Sequence, residues 1–115
     1  DFGSRWANVN VQKLLTNQAY ISYKKTVVSA FEEVETAFSN YFYEEERLSE
    51  FSAQALFDRR NFELIADQYQ AGLANYSQLL EAREKWLISE NNLADSRQAI
   101  DSALIAVYKA LGGDW

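Results

Sequence analysis

The sequence contains no cysteine and no histidine. The absence of cysteine excludes disulfide frameworks and thiolate nucleophiles. The absence of histidine excludes Ser-His-Asp triads and the Glu-x-x-His motif of di-iron bundles, and together the two absences remove the usual zinc ligands. The 115 residues are enough for one ordinary domain. The residue types that remain do not form a recognisable catalytic site. We therefore expect no enzyme activity, no cofactor and no metal site.

Proline is also absent, and the four glycines are Gly3, Gly72, Gly112 and Gly113. Nothing therefore forces the backbone out of a helix between Gly3 and Gly72, and the single interior glycine indicates one turn. No apolar run is long enough for a membrane-spanning helix. The sequence also lacks methionine, including at its start, so we expect it to be a fragment of a larger protein.

The formal net charge is −6, and the charges are unevenly placed. An acidic chain has no source for the phosphate neutralisation that drives nucleic-acid binding, so no nucleic-acid partner is expected. Residues 32–50 carry seven acidic groups and one basic group, whereas residues 1–31 carry four basic groups and one acidic group. This acidic belt has two interpretations, a solvated helix face or an acidic wall along a water-filled passage.

Apolar residues recur every seven positions in two segments. The first line is Val27, Val34, Tyr41, Leu48, Ala55, Phe62 and Tyr69, and the second is Leu79, Trp86, Leu93, Ile100 and Val107. A companion line in the first segment, offset by four, is apolar at first and then polar or small: Phe31, Phe38, Glu45, Ser52, Arg59 and Ala66. A period of seven predicts helices that supercoil against neighbours, so the fold class is all-α.

The two segments join at a sequence suited to a tight reversal. Gly72 can adopt the left-handed conformation that ends a helix, and Asn75 with Gln78 can form the capping box that opens the next one. Gly112 and Gly113 supply a second stop signal. The sequence predicts a helix over about residues 4–70, a turn over 71–75 and a helix over 76–111.

The predicted helices differ in length, about 100 Å against about 55 Å at 1.5 Å per residue. Apolar residues before about position 33 therefore lack a partner inside a simple antiparallel coiled-coil hairpin. Either other chains or segments cover them, or the first helix breaks near residues 39–44 and the chain forms a three-helix bundle. The second possibility would make the protein a spectrin-like structural or interaction module.

Three motifs resemble one family, the TolC-type outer-membrane efflux proteins. Residues 69–82 (YQAGLANYSQLLEA) resemble the periplasmic tip of the second helical hairpin of that family. Residues 106–115 (AVYKALGGDW) resemble its C-terminus, particularly in members that serve resistance-nodulation-division pumps, and residues 1–5 (DFGSR) resemble the entry to the long descending helix. The resemblance covers essentially the whole chain.

The resemblance implies one hairpin of a trimeric α-barrel, the periplasmic tunnel of an outer-membrane efflux channel in a Gram-negative bacterium. Such a channel is a homotrimer and a passive duct for drugs or other small molecules. Its partners would be a periplasmic adaptor (membrane fusion) protein and an inner-membrane efflux transporter, which together form a tripartite pump.

The resemblance also implies roles for residues near the turn. The tip and its adaptor contact would be formed by Tyr69, Gly72, Leu73, Asn75 and Tyr76. The entrance constriction would involve Gln78 and Glu81, where three copies of Glu81 would form a carboxylate ring. Gln78 stands where some members have a second acidic residue, and Ala74 stands where some have a basic one.

Overall fold

A computed structural model describes residues 2–112 of the chain. The described residues form two helices, α1 (Phe2–Gln70) and α2 (Tyr76–Ala110), joined by residues 71–75. Asp1 and residues 113–115, which complete two of the motifs above, lie outside the described part. Within residues 2–112, neither helix has an apolar stretch that could cross a bilayer.

Helix α1 contributes to two compact units, which divide between Thr36 and Ala37. It continues without interruption through residues 39–44, so the break required by the three-helix bundle is absent and the hairpin is the correct fold. In the first unit nearly all described side chains are exposed, and these include large apolar ones. The most exposed of them are Trp6, Leu14, Tyr20, Tyr23 and Phe31.

In the second unit, α1 and α2 pack as an antiparallel pair. The rings of Phe62 and Trp86 stack with centroids 5.4 Å apart, and the Ser89 hydroxyl donates a hydrogen bond to the Asp58 carboxylate. These contacts fix the register of the pair. Counting by sevens from Asp58 and Ser89 places Ala110 opposite Ala37, where the second unit begins.

Most of the buried or half-buried side chains of the second unit form a seam between the helices with alternating spacings of three and four. On α1 the seam comprises Ala37, Tyr41, Glu44, Leu48, Phe51, Ala55, Asp58, Phe62 and Ile65. On α2 it comprises Leu79, Ala82, Trp86, Ser89, Leu93, Ser96, Ile100, Ala103, Val107 and Ala110. The second seam row of α2 is therefore made of alanine and serine, which lets the two backbones approach closely.

The seam confirms the predicted line on α2 and, on α1, the predicted line from Tyr41 to Phe62. Tyr69, the last member of the α1 line, is exposed and lies outside the seam, and the predicted companion line does not form its second row. The true companion residues on α1 follow the first line by three positions, not four, and include Glu44 and Asp58. Of the predicted companions in the second unit, Ala66 is half-buried, and the others are exposed: Phe38, Glu45, Ser52 and Arg59. Sequence reasoning missed the correct row because two of its five members are acidic.

Candidate functional site

The turn is built around Gly72, whose φ is +78°. The Leu73 amide donates to the Gln68 carbonyl at 2.7 Å, and the Gly72 amide donates to the Tyr69 carbonyl at 3.1 Å. These two bonds are those of a Schellman motif, which satisfies the last carbonyls of α1. The left-handed conformation required at this point explains why glycine occupies it.

Helix α2 begins with the predicted capping box. The Gln78 amide donates to Asn75 Oδ1 at 2.8 Å, and the Asn75 amide donates to Gln78 Oε1 at 2.9 Å. Two backbone donors at the helix start are thereby satisfied. Asn75 and Gln78 thus shape the turn itself, and the side chain of Gln78 holds the cap.

The tip between the helices exposes apolar and aromatic side chains. Leu73 is 79% exposed, and the rings of Tyr69 and Tyr76 lie 6.1 Å apart with both residues exposed. Residues 68–80 contain no charged side chain. The chain therefore presents an uncharged, partly apolar surface at the turn.

Glu81 follows the turn on the exposed side of α2. Within residues 2–112 it forms no ion pair. The structure thus leaves this carboxylate in solvent, about one helical turn after Gln78. It is the first charged residue of α2.

Sequence reasoning did not anticipate a polar cluster within the seam. Asp58 is 7% exposed, accepts the Ser89 hydroxyl and also accepts from Gln54 Nε2 at 3.1 Å through both carboxylate oxygens. Farther from the turn, Glu44 is buried and pairs with Arg47 at 3.0 Å. Each carboxylate of the seam is thus covered by a donor on its own helix, as a buried charge requires.

Ser96 lies one heptad after Ser89 and is only 1% exposed. Its hydroxyl has no hydrogen-bond partner within the described residues. A buried hydroxyl without a partner loses its hydration and gains nothing in return, at a cost of about 1–3 kcal/mol. The register places Ser96 opposite Phe51, which offers no polar atom on its side chain.

These two serines give a paired prediction about stability. Ser96→Ala should raise the free energy of unfolding by about 1 kcal/mol because it removes an unpaired buried hydroxyl. Ser89→Ala should lower it by about 1–3 kcal/mol because the Asp58 carboxylate loses a donor. Urea unfolding followed by circular dichroism measures both at one protein concentration. The gain in helix propensity is the same in both variants, so effects of equal sign and size would contradict the assigned contacts.

Comparison with known proteins decides the family. The family described as outer membrane efflux protein matches residues 1–113. The chain belongs to this family. It is 27% identical over 117 residues to outer membrane protein OprJ of Pseudomonas aeruginosa, a match covering all of this chain and 24% of OprJ. The resemblance drawn from the sequence motifs is confirmed.

Other relatives in the family cover the chain to a similar extent. Cation efflux system protein CusC of Escherichia coli is 24% identical over 113 residues, covering 98% of this chain and 25% of CusC. Solvent efflux pump outer membrane protein SrpC of Pseudomonas putida is 26% identical, covering 98% and 24%. The chain spans about a quarter of the length of these relatives. No solved structure matches it.

Proposed function

We propose that this chain is the periplasmic hairpin of an outer-membrane efflux channel and forms part of the wall of its tunnel. Three copies of the larger protein would assemble the channel, through which drugs or other small molecules pass without chemical change. A periplasmic adaptor and an inner-membrane transporter would complete the pump. The observation that carries this proposal is a second apolar surface on each helix, opposite the seam.

These second surfaces, here called the outer edges, lie more than about 120° around each helix from the seam. On α1 the outer edge comprises Phe42, Tyr43, Leu56, Phe57 and Leu64, and on α2 it comprises Leu80, Leu87, Ile88, Ile105 and Tyr108. All of these residues are exposed in the single chain. Burying a large apolar side chain contributes about 1.5–3 kcal/mol, so both edges favour helical neighbours.

A hairpin with an apolar edge on each side is suited to a wall of side-by-side helices. A two-helix structure that works alone would need apolar residues only at the seam. Neighbours on both sides extend the row of helices, and a closed ring leaves no edge uncovered. The outer edges support the tunnel more directly than the family match, because they are exposed residues of this chain.

The first unit supports a larger assembly for the same reason. Its exposed apolar residues, such as Trp6 and Phe31, have no covering partner within the unit. In the proposed channel they pack on other segments of the protein. The chain is then one piece of a protein several times its length, as the coverage of the relatives suggests.

The turn is assigned to the adaptor end of the tunnel. Leu73, Tyr69 and Tyr76 form the contact surface, which Gly72 and Asn75 hold in shape. Glu81 lines the entrance as a ring of three carboxylates, with Gln78 beside it. Solvent exposure of Glu81 and of the uncharged tip supports these roles.

The proposal predicts that Leu73→Asp in the encoded protein abolishes efflux. A charge at the exposed apolar tip opposes burial against an adaptor. Each variant is expressed in a strain that lacks the gene, and growth is measured with a panel of drugs and solvents. The strain that carries Leu73→Asp should be as sensitive as the strain that carries no copy of the gene. The control Leu73→Met keeps an apolar side chain of similar size and should restore resistance.

Thiol labelling tests on which side of the outer membrane the tip lies. The chain has no cysteine, so Leu73→Cys introduces a single thiol within it. A membrane-impermeant maleimide should label this thiol only after the outer membrane is permeabilised. Labelling in intact cells, or full resistance with Leu73→Asp at normal protein levels, would contradict the proposal.

A further inference from the structure

Carboxamide side chains recur every seven residues along one face of α1. The row, here called the amide row, consists of Asn40, Arg47, Gln54, Asn61 and Gln68. Each member lies three residues after one residue of the second seam row of α1, which consists of Ala37, Glu44, Phe51, Asp58 and Ile65. Four of its five positions carry an amide, and none carries a carboxylate.

Helix α2 continues the same pattern on the same side of the hairpin. The equivalent positions carry Gln78, Lys85 and Asn92, followed by Ala99 and Ala106. The contact between Asp58 and Ser89 shows that the second seam rows of the two helices meet, and the amide rows flank those second rows. One face of the hairpin is therefore lined by amides, alanines and two basic residues.

The amide row also covers the two carboxylates of the seam that approach this face. Arg47 Nη1 contacts Glu44 at 3.0 and 3.2 Å, and Gln54 Nε2 contacts Asp58 at 3.1 Å. Each of these two carboxylates therefore accepts a hydrogen bond from a side chain of the amide row. The field that they would otherwise project into solvent on this side is reduced.

The opposite face has a different composition. There α1 carries the row Phe38, Glu45, Ser52, Arg59 and Ala66, and α2 carries Arg83, Glu90, Arg97 and Leu104. This face mixes charges of both signs with large apolar side chains. The amide face has no large apolar side chain, and its nearest exposed carboxylates, Glu50, Glu81 and Asp95, lie about 40° farther round, toward the outer edges.

We propose that the amide row faces the lumen of the channel and makes this part of its wall neutral to weakly basic, not acidic. The inference rests on the proposed tunnel and specifies its solutes. A wall lined by carboxylates concentrates cations, whereas amides offer donors and acceptors without attracting either sign. The passage beyond the Glu81 entrance therefore admits neutral and anionic solutes as readily as cations.

Reversal potentials of the encoded protein in planar bilayers, under a KCl gradient at low salt, test the inference. Asn92→Asp adds one carboxylate to the amide row and should raise the ratio of K⁺ to Cl⁻ permeability about twofold or more. Asn92→Lys should lower the ratio. Ser52→Asp is the matched control, because it adds the same charge at an exposed position on the opposite face and should leave the ratio unchanged.

The outcomes separate the inference from the function on which it rests. A channel whose permeability ratio responds to Ser52→Asp as strongly as to Asn92→Asp, or does not respond to Asn92→Asp, would overturn the orientation of the amide row alone. A parent protein that forms no channel would overturn the tunnel and this inference together. Native gels of each variant verify that the assembly is intact.

Discussion

Leu93→Ala is expected to lower the free energy of unfolding of the hairpin by about 2–5 kcal/mol. Leu93 is 6% exposed and lies in the middle of the α2 part of the seam, on the predicted apolar line. Truncation removes buried methyl groups and leaves a cavity between two helices, where few neighbours can move to fill it. Urea unfolding of the 115-residue chain, at one fixed protein concentration, gives the difference directly.

Leu87→Ala is the matched control for this experiment. Leu87 has the same side chain on the same helix but is 50% exposed, on the outer edge. Its truncation should cost less than about 1 kcal/mol in the isolated chain, since surface substitutions usually have small effects. Equal losses for the two variants would mean that the seam is assigned to the wrong face of α2.

Gly72→Val is expected to destabilise the hairpin by about 1–2 kcal/mol in the isolated chain. The φ of +78° suits glycine, and a β-branched residue is strained in this region. An added Cβ would meet no atom within 4 Å, so the cost comes from the backbone conformation and not from a clash. Thermal unfolding of both proteins measures it.

Gly3→Ala is the control for the turn. An added Cβ at Gly3 also meets nothing within 4 Å, but Gly3 lies in the first turn of α1 without a positive φ. Alanine there should be neutral or stabilising by up to about 1 kcal/mol. If Gly72→Val were as stable as the parent, the reversal at residues 71–75 would not depend on a left-handed residue.

The features predicted correctly from the sequence are those that local chemistry determines. Gly72 ends α1 through its own backbone freedom, and the Asn75 capping box involves residues only three apart. The apolar line through Leu93 is also predicted correctly, because every member is apolar. Each of these signals lies within a few residues or within one strict period.

The acidic residues of the seam could not be predicted from the sequence, and the reason is physical. An acidic residue at a buried position looks like a surface residue until its partners are known. Asp58 is satisfied by Ser89, which is 31 positions away along the chain, and Glu44 by Arg47. Only the three-dimensional register identifies the first of these pairs.

The acidic belt shows the same difficulty. The sequence allows two interpretations of these acidic residues, a solvated helix face or the wall of a passage. In the structure they lie on different faces of α1. Glu44 belongs to the seam, whereas Glu45 and Glu50 are exposed on different sides of α1. The acidic residues that are close in sequence therefore do not form one wall. The amide row indicates better which face lines a passage.

Electron cryomicroscopy of the encoded protein, purified in detergent, shows directly whether this hairpin forms part of a tunnel wall. We expect a threefold ring of helices in which residues 37–70 and 76–110 are adjacent parts of the wall. Each outer edge should contact a neighbouring helix, and residues 71–75 should lie at the open end of the tunnel. A hairpin standing outside any ring, with Phe57 and Leu87 in solvent, would contradict this expectation.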